Sequence, residues 1–230
     1  MRVLRRLIKV SAVVLGAGLV VTGCSPVKAG AAAIVGDQRI TIATLDTAVT
    51  DLNQAAKKYP GNISLTPAQE TQQVLTWLVR FQVVEQLAKQ DGITVSAAQA
   101  QNALAEIYAA AKSQAQASGV SNVTLELILA ANGIPPDLSA EVGRYQAIQT
   151  QYVEQANGGK LPTTTASETA STASLDKAQC IAAKSLTISI NPQFGRLDYS
   201  QLSVVPAPST VSRAAGPAKP ASTSGLTPAC

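Results

Sequence analysis

Ala33-Ile34-Val35-Gly36-Asp37-Gln38-Arg39-Ile40-Thr41, with Ile42, Leu45, Val49 and Leu52 after it, is the stretch from which the architecture can be built. Two short runs of strand-forming composition flank Gly36-Asp37, and glycine at the first central position supplies the positive φ of a tight two-residue turn. A hairpin follows from that reading. Beyond it, apolar residues recur at intervals of three and four, which describes a helix with one buried stripe, and the Thr41 hydroxyl suits its N-cap. This helix should run to about Lys58 and stop before Pro60-Gly61. A hairpin so small is not stable by itself in water, so another part of the chain must complete its sheet.

Moving outward, Thr66-Pro67-Ala68-Gln69 combines a capping hydroxyl, proline at the first helical position and a glutamine placed to close a capping box. The helix it opens carries Val74 to Val84, apolar on most sides, as a central and largely enclosed helix would be. Asp91-Gly92 ends it. Ser96-Ala97-Ala98-Gln99 is a second capping box, starting a third helix with Ala100, Leu104, Ile107 or Tyr108, and Ala111 on one face, closed by Ser118-Gly119. A fourth, short helix spans about Thr124 to Ala131, and Pro135-Pro136-Asp137 opens a fifth with Leu138, Val142, Tyr145, Ile148 and Tyr152 in phase. Asn157 to Ser174 is Gly, Thr, Ser and Ala with almost no large apolar group, and reads as a flexible linker. Leu175 to Lys184 regains helical composition, and Leu186-Thr187-Ile188-Ser189-Ile190 alternates as a half-buried strand does. The only partner available for that late strand is the early hairpin, so the two ends of the domain should meet in one sheet. The expected fold is mainly α: a five- to six-helix bundle with a small N-terminal β-hairpin joined by a C-terminal strand.

Composition narrows the chemistry. Of 230 residues, 46% are hydrophobic but only eight are aromatic and Met1 is the sole methionine, so the interior must be aliphatic. Histidine is absent, which removes the commonest general base, the commonest zinc ligand and the usual partner of a nucleophilic serine or cysteine. No glycine-rich phosphate loop or metal-spaced cluster appears, so no metal and no cofactor is implied, and pairs such as Asp46 and Asp51 are not spaced to share a helix face. The net charge of +4 suggests an anionic partner until the cations are located. Four of the eighteen, Arg2, Arg5, Arg6 and Lys9, precede an apolar run; the fourteen left equal the fourteen acids. A nucleic-acid footprint is therefore not expected.

Val10 to Val21 behind those cations is too short to span a bilayer and has the form of an export signal. It ends in Val21-Thr22-Gly23-Cys24-Ser25, which resembles the bacterial lipobox. The resemblance implies cleavage after residue 23 and lipid attachment at Cys24, holding the protein at the extracytoplasmic face of a bacterial cell membrane; the other reading is an ordinary secretory signal with a bystander cysteine. Residues 24–31 would form a tether. Cys180 and Cys230 would then face an oxidising compartment, where they can pair with each other or leave a free or intermolecular thiol. The expected division is thus a signal at 1–23, a tether at 24–31, a helical domain at 32–200 with its linker at 157–174, and a Pro/Ala/Ser-rich tail at 201–230 without fixed structure.

The order of these motifs resembles the N-terminal domain of SurA-type periplasmic chaperones and their PrsA-like lipoprotein relatives. The likeness is carried by residues 33–41 with Leu45-Asp46, and by Asp91-Gly92-Ile93-Thr94-Val95-Ser96 opening the third helix. It covers roughly residues 32–156 and extends to 175–192, while Asn191 to Asp198 is similar to the closing segment of actinobacterial lipoproteins of this kind. Members that isomerise prolyl bonds carry a parvulin domain between the helical block and the closing helix. Here that place holds only residues 157–174, so the resemblance implies the holding role and not the catalytic one.

The expected function is a non-catalytic chaperone or peptide-binding module for unfolded or newly exported polypeptides. The alternative is a structural or adaptor lipoprotein docking one dedicated envelope partner. Trp77, Phe81, Tyr108, Tyr145 and Tyr152 are the peptide-binding candidates, because large amphipathic rings give much contact area for little entropy loss. The bland reading of each is a core aromatic at helical spacing. Arg80, alone among apolar neighbours, reads as a solvated cation or as part of a polar stripe with Thr76.

Overall fold

The computed structural model describes residues 29–61 and 65–207; the signal sequence, Cys24 and Cys230 lie outside the described residues. In chain order the elements are β1 (Ala31–Val35), β2 (Gln38–Thr41), α1 (Ile42–Lys58), α2 (Pro67–Gln90), α3 (Ala97–Ala117), α4 (Leu125–Ala131), a single 3-10 turn (Pro136–Leu138), α5 (Ser139–Ala156), α6 (Thr165–Ser185), β3 (Ile188–Ile190), β4 (Arg196–Asp198) and β5 (Ser203–Val205). The fold is mainly α, with the N-terminal hairpin joined by the late strand as its sequence pattern requires.

The first sheet has the order β2-β1-β3, all antiparallel, with Ile34 opposite both Arg39 and Ser189. β1 is the middle strand and its residues Ala31 to Ala33 are fully buried. Alanine suits this position because α2 packs against β1 and leaves little room. Gly36, at φ 60°, makes the turn, and a Cβ there would stand 2.8 Å from Leu186 Cδ2. The Gly36 N–H donates to Thr187 O, so the turn itself is held by the approach to β3.

Helix starts follow their signals closely. The Thr41 hydroxyl accepts from the Thr44 N–H, and reciprocal capping boxes join Thr66 to Gln69 and Ser96 to Gln99. α2 runs through the middle of the bundle, with Val74, Leu75, Val79 and Val83 fully buried. Each such side chain contributes about 1.5–3 kcal/mol on leaving water, so this helix holds the fold together. α3 and α5 pack closest of all the helices: at Gly143 a Cβ would lie 2.4 Å from the Ala100 carbonyl oxygen. Arg144 forks onto both carboxylate oxygens of Glu85 and donates to the Val95 carbonyl, tying α5 to α2 and to the segment before α3.

Two expectations need correction. The linker expected at 157–174 is only 157–164, because α6 begins at Thr165 behind a third capping box, Thr164 with Ser167. Its polar first turns are tolerated for identifiable reasons: Thr169 and Thr172 bond back to the carbonyls four residues earlier, and buried Ser171 accepts a hydrogen bond from Asn157. The tail expected from residue 201 also starts too early. Leu202 and Val204 are buried in the main core, and β5 pairs with β4 in a second, two-stranded sheet that the sequence reading missed.

Candidate functional site

The site is built around a polar row on the otherwise apolar α2. Gln72, Thr76 and Arg80 recur every four residues and so share one helix face. All three reach the backbone of the C-terminal hairpin formed by β4 and β5. Gln72 donates to the Phe194 carbonyl (3.4 Å), the Thr76 hydroxyl accepts from the Val204 N–H (2.8 Å), and Arg80 donates to the carbonyls of Leu202 (3.0 Å) and Gln201 (2.9 Å). Arg80 is therefore not a solvated cation; it is part of a polar stripe with Thr76, as one of the two readings had it, and donates to peptide carbonyls. The Thr76 hydroxyl donates its own hydrogen bond to the Gln72 carbonyl, which leaves its oxygen lone pairs to accept from Val204.

The hairpin fits this row by a tight and strained path. Gly195, buried at φ 132°, leaves no space for a side chain: a Cβ would lie 2.3 Å from the Val205 carbonyl oxygen. Leu202 adopts φ 45°, a conformation that bulky residues rarely take, and it does so while buried and bonded through its carbonyl to Arg80.

Beside this contact lies a cavity of about 330 Å³, walled by Arg80 and Tyr145, by Gln149 on α5, by Thr172, Leu175, Asp176 and Gln179 on α6, and by Gln201 and Leu202. Its surface mixes an aromatic ring and two leucines with three side-chain amides and two opposite charges. Burial pushes the Arg80 guanidinium below its ordinary range, with the Tyr145 phenol acting the other way. Burial likewise raises the Asp176 carboxyl and the Tyr145 hydroxyl, the latter opposed by Arg80. Arg80 makes no ion pair among the described residues. Such a surface can hold apolar side chains and hydrogen-bond peptide groups, and it offers no nucleophile with an adjacent base.

Three of the five aromatic candidates come together. Trp77, Phe81 and Tyr145 form a triangle with ring centroids 5.7 to 5.9 Å apart, and the Arg80 guanidinium lies 5.3 Å from the Trp77 ring centre. Of these, Phe81 is buried in the second core cluster and only Tyr145 lines the cavity. Tyr108 stands apart, its hydroxyl donating to the Val123 carbonyl, and Tyr152 packs on the main core with its hydroxyl near Ser174. Sequence reasoning missed Gln149, Asp176, Gln179 and Gln201: Asp176 and Gln179 lie in the stretch read as helical, Leu175 to Lys184, but no local signal says which of its residues face a cavity, and Gln201 lies in the expected tail.

Asp46 and Asp51 border one shallow depression after all, with Asp137 brought in from the 3-10 turn, and the Asp51 carboxylate accepts from the Asp137 N–H at 2.8 Å. Among the described residues, no group of three or more His, Cys, Asp or Glu side chains could hold a metal ion. Cys180 is buried on α6 and disulfide-bonded; the two other cysteines, Cys24 and Cys230, lie outside the described residues. No helix among the described residues is long and apolar enough to cross a membrane.

Residues 1–153 match the model of the SurA-like N-terminal domain family. No curated protein and no solved structure matches the chain. The matched segment runs from the N-terminus to near the end of α5, so α6 and the strands after it lie beyond it.

Proposed function

The chain belongs to the family of SurA-like N-terminal domains, and from that premise we propose that it is a non-catalytic chaperone that holds segments of unfolded, newly exported polypeptides. The observation that supports this reading is the mixed cavity against Tyr145 and Arg80, open between α2, α5 and α6 and lined by amides as well as by leucines. Broad apolar contact with a few peptide-directed hydrogen bonds suits clients of many sequences. Catalysis of prolyl isomerisation is not part of the proposal: α5 and α6 are joined by residues 157–164 alone, which cannot house the parvulin domain that catalytic relatives carry there.

The proposal extends to location. The lipobox-like Val21 to Cys24 would attach the mature chain through Cys24 to the outer face of the cell membrane, with the tether at 24–31 letting the helical domain meet clients as they emerge. Cys230 would be the disulfide partner of Cys180, since a lipidated Cys24 has no thiol to offer.

The test is suppression of aggregation. The mature chain should slow light scattering by at least two unrelated chemically denatured enzymes at near-stoichiometric ratios, and a Gln149→Trp variant, which fills the cavity, should do so less well while keeping its helical circular dichroism. An adaptor would leave both enzymes to aggregate and would instead retrieve one partner. Retention of radiolabelled lipid by the wild-type chain and its loss in Cys24→Ala checks the anchor.

A further inference from the structure

The polar groups that line the cavity beside Arg80 are not all spent inside the molecule. Gln179 is only 8% exposed, it lines the cavity from α6, and its amide makes no hydrogen bond among the described residues. Arg80 donates through Nε to the Leu202 carbonyl and through Nη2 to the Gln201 carbonyl, while Nη1 donates to nothing among the described residues. Asp176 lines the same cavity but makes no ion pair with it. Every fully enclosed side-chain nitrogen and oxygen among the described residues has a partner, so the Gln179 amide and the Arg80 Nη1 are not walled in by protein; they meet the open space of the cavity.

The ligand that completes these groups can be read from their chemistry. A nine-tenths buried amide and a desolvated cation without a counter-charge are costly to keep unless something pairs with them. A guanidinium matches a carboxylate, whose oxygens accept its N–H groups in one plane. A carboxamide both donates and accepts, as a peptide group does. Leu175 and Leu202 add apolar contact in the same lining. A volume of about 330 Å³ lies at the small end of ligand cavities and admits a chain end or a side chain rather than an extended segment.

We infer that this cavity is a carboxylate-recognition site, in which Arg80 takes the carboxylate of a client's C-terminal residue, Gln179 its peptide group, and Leu175 with Leu202 its apolar side chain. An acidic side chain carries the same chemistry and is told apart by experiment. The inference rests on the chaperone reading and names the part of the client that the cavity takes. The hairpin has a fixed part in it: the carbonyls of Gln201 and Leu202 hold the guanidinium through Nη2 and Nε, so the cation is oriented before the ligand arrives.

The probe is an N-acetylated pentapeptide, Ser-Ala-Gly-Ala-Leu, offered to the mature chain as the free acid, as the C-terminal amide, and as the amide with glutamate in place of leucine, with affinity measured by titration calorimetry. The free acid should bind about tenfold or more tighter than the amide, the margin of hydrogen bonds to a charged group. Gln179→Leu gives up no hydrogen bond among the described residues, so it should keep its helical circular dichroism and bind the acid about two- to tenfold less tightly. Asp176→Asn, which removes a like charge from the lining, should bind the acid more tightly, and Gln149→Trp should abolish the preference for acid over amide. A glutamate amide that matches the free acid keeps the carboxylate site and assigns it to acidic side chains. Equal affinity for acid and amide, absence of binding by both, or a preference that survives Gln149→Trp overturns the inference. The chaperone reading then stands or falls separately, by suppression of aggregation.

Discussion

Thr76→Val tests the most consequential bond in the molecule. Thr76 and Val204 are both buried, at 3% and 5% exposure, and the Val204 N–H has the Thr76 hydroxyl as its acceptor at 2.8 Å. Valine keeps the branched shape and removes the oxygen. A buried N–H left without an acceptor costs about 1–3 kcal/mol, and the added methyl recovers a fraction of that, so a net loss of about 1–2 kcal/mol is expected. The ceiling comes from the hairpin itself. Releasing Leu202 and Val204 to water costs about 1.5–3 kcal/mol for each side chain, so the protein opens locally at the hairpin before the bundle unfolds. The measurement is urea unfolding followed by circular dichroism, paired with exchange at the Val204 amide. The midpoint should fall, the Val204 amide should lose protection by about tenfold or more, and Thr76→Ser should stay close to wild type at that amide. A Thr76→Val chain with an unchanged midpoint and an equally protected Val204 amide would refute the claim that this hydroxyl fastens the hairpin.

Two further perturbations probe other parts of the fold. Gly143→Ala gains about 1 kcal/mol of helix propensity, yet its Cβ would stand 2.4 Å from the Ala100 carbonyl oxygen; overpacking against backbone costs about 1–3 kcal/mol, so a net loss is expected, and a raised urea midpoint would show that α3 and α5 are not in close contact. Asp176 has a carboxyl raised above its ordinary range by burial, so the stabilisation tied to its protonated form is complete below the unfolded-state value and is lost as pH rises through the native one. Asp176→Asn should therefore melt higher than wild type at pH 7, with the difference shrinking as pH falls through the carboxylate range; a variant that melts lower at pH 7 would contradict the assignment.

The helical framework was legible because it rests on local rules. Thr41, Thr66 and Ser96 each sit where a hydroxyl meets the first free N–H groups, and the glycines or prolines that follow each helix leave little freedom in where it ends. The pairing of β3 with β1 was legible by a different route, since an incomplete hairpin demands a third strand and one alternating segment was available. What escaped was structure whose cause is tertiary. The first turns of α6 mix threonine and serine, weak in helix propensity, with alanine and one glutamate and carry no apolar stripe, and they are helical because a capping box starts them and the bundle beyond Ser171 receives them. β4 and β5 are three residues each, below the length at which alternation can be recognised.

The same distinction explains why the site was only half visible. Aromatic residues announce themselves in a chain that has so few, and Trp77, Phe81 and Tyr145 do meet. Arg80 was conspicuous too, but its purpose depends on carbonyls more than a hundred residues away, and nothing local to either segment predicts that meeting. A polar row on an enclosed helix is costly unless each group finds a partner. Gln72, Thr76 and Arg80 could therefore persist on α2 only if some backbone came to them, and among the described residues that backbone belongs to the hairpin at 194–205. The polar row thus states its own requirement: a helix that carries peptide-directed donors and an acceptor in its most apolar environment needs main chain beside it, and here turn residues Phe194, Gln201 and Leu202 and the strand residue Val204 supply it.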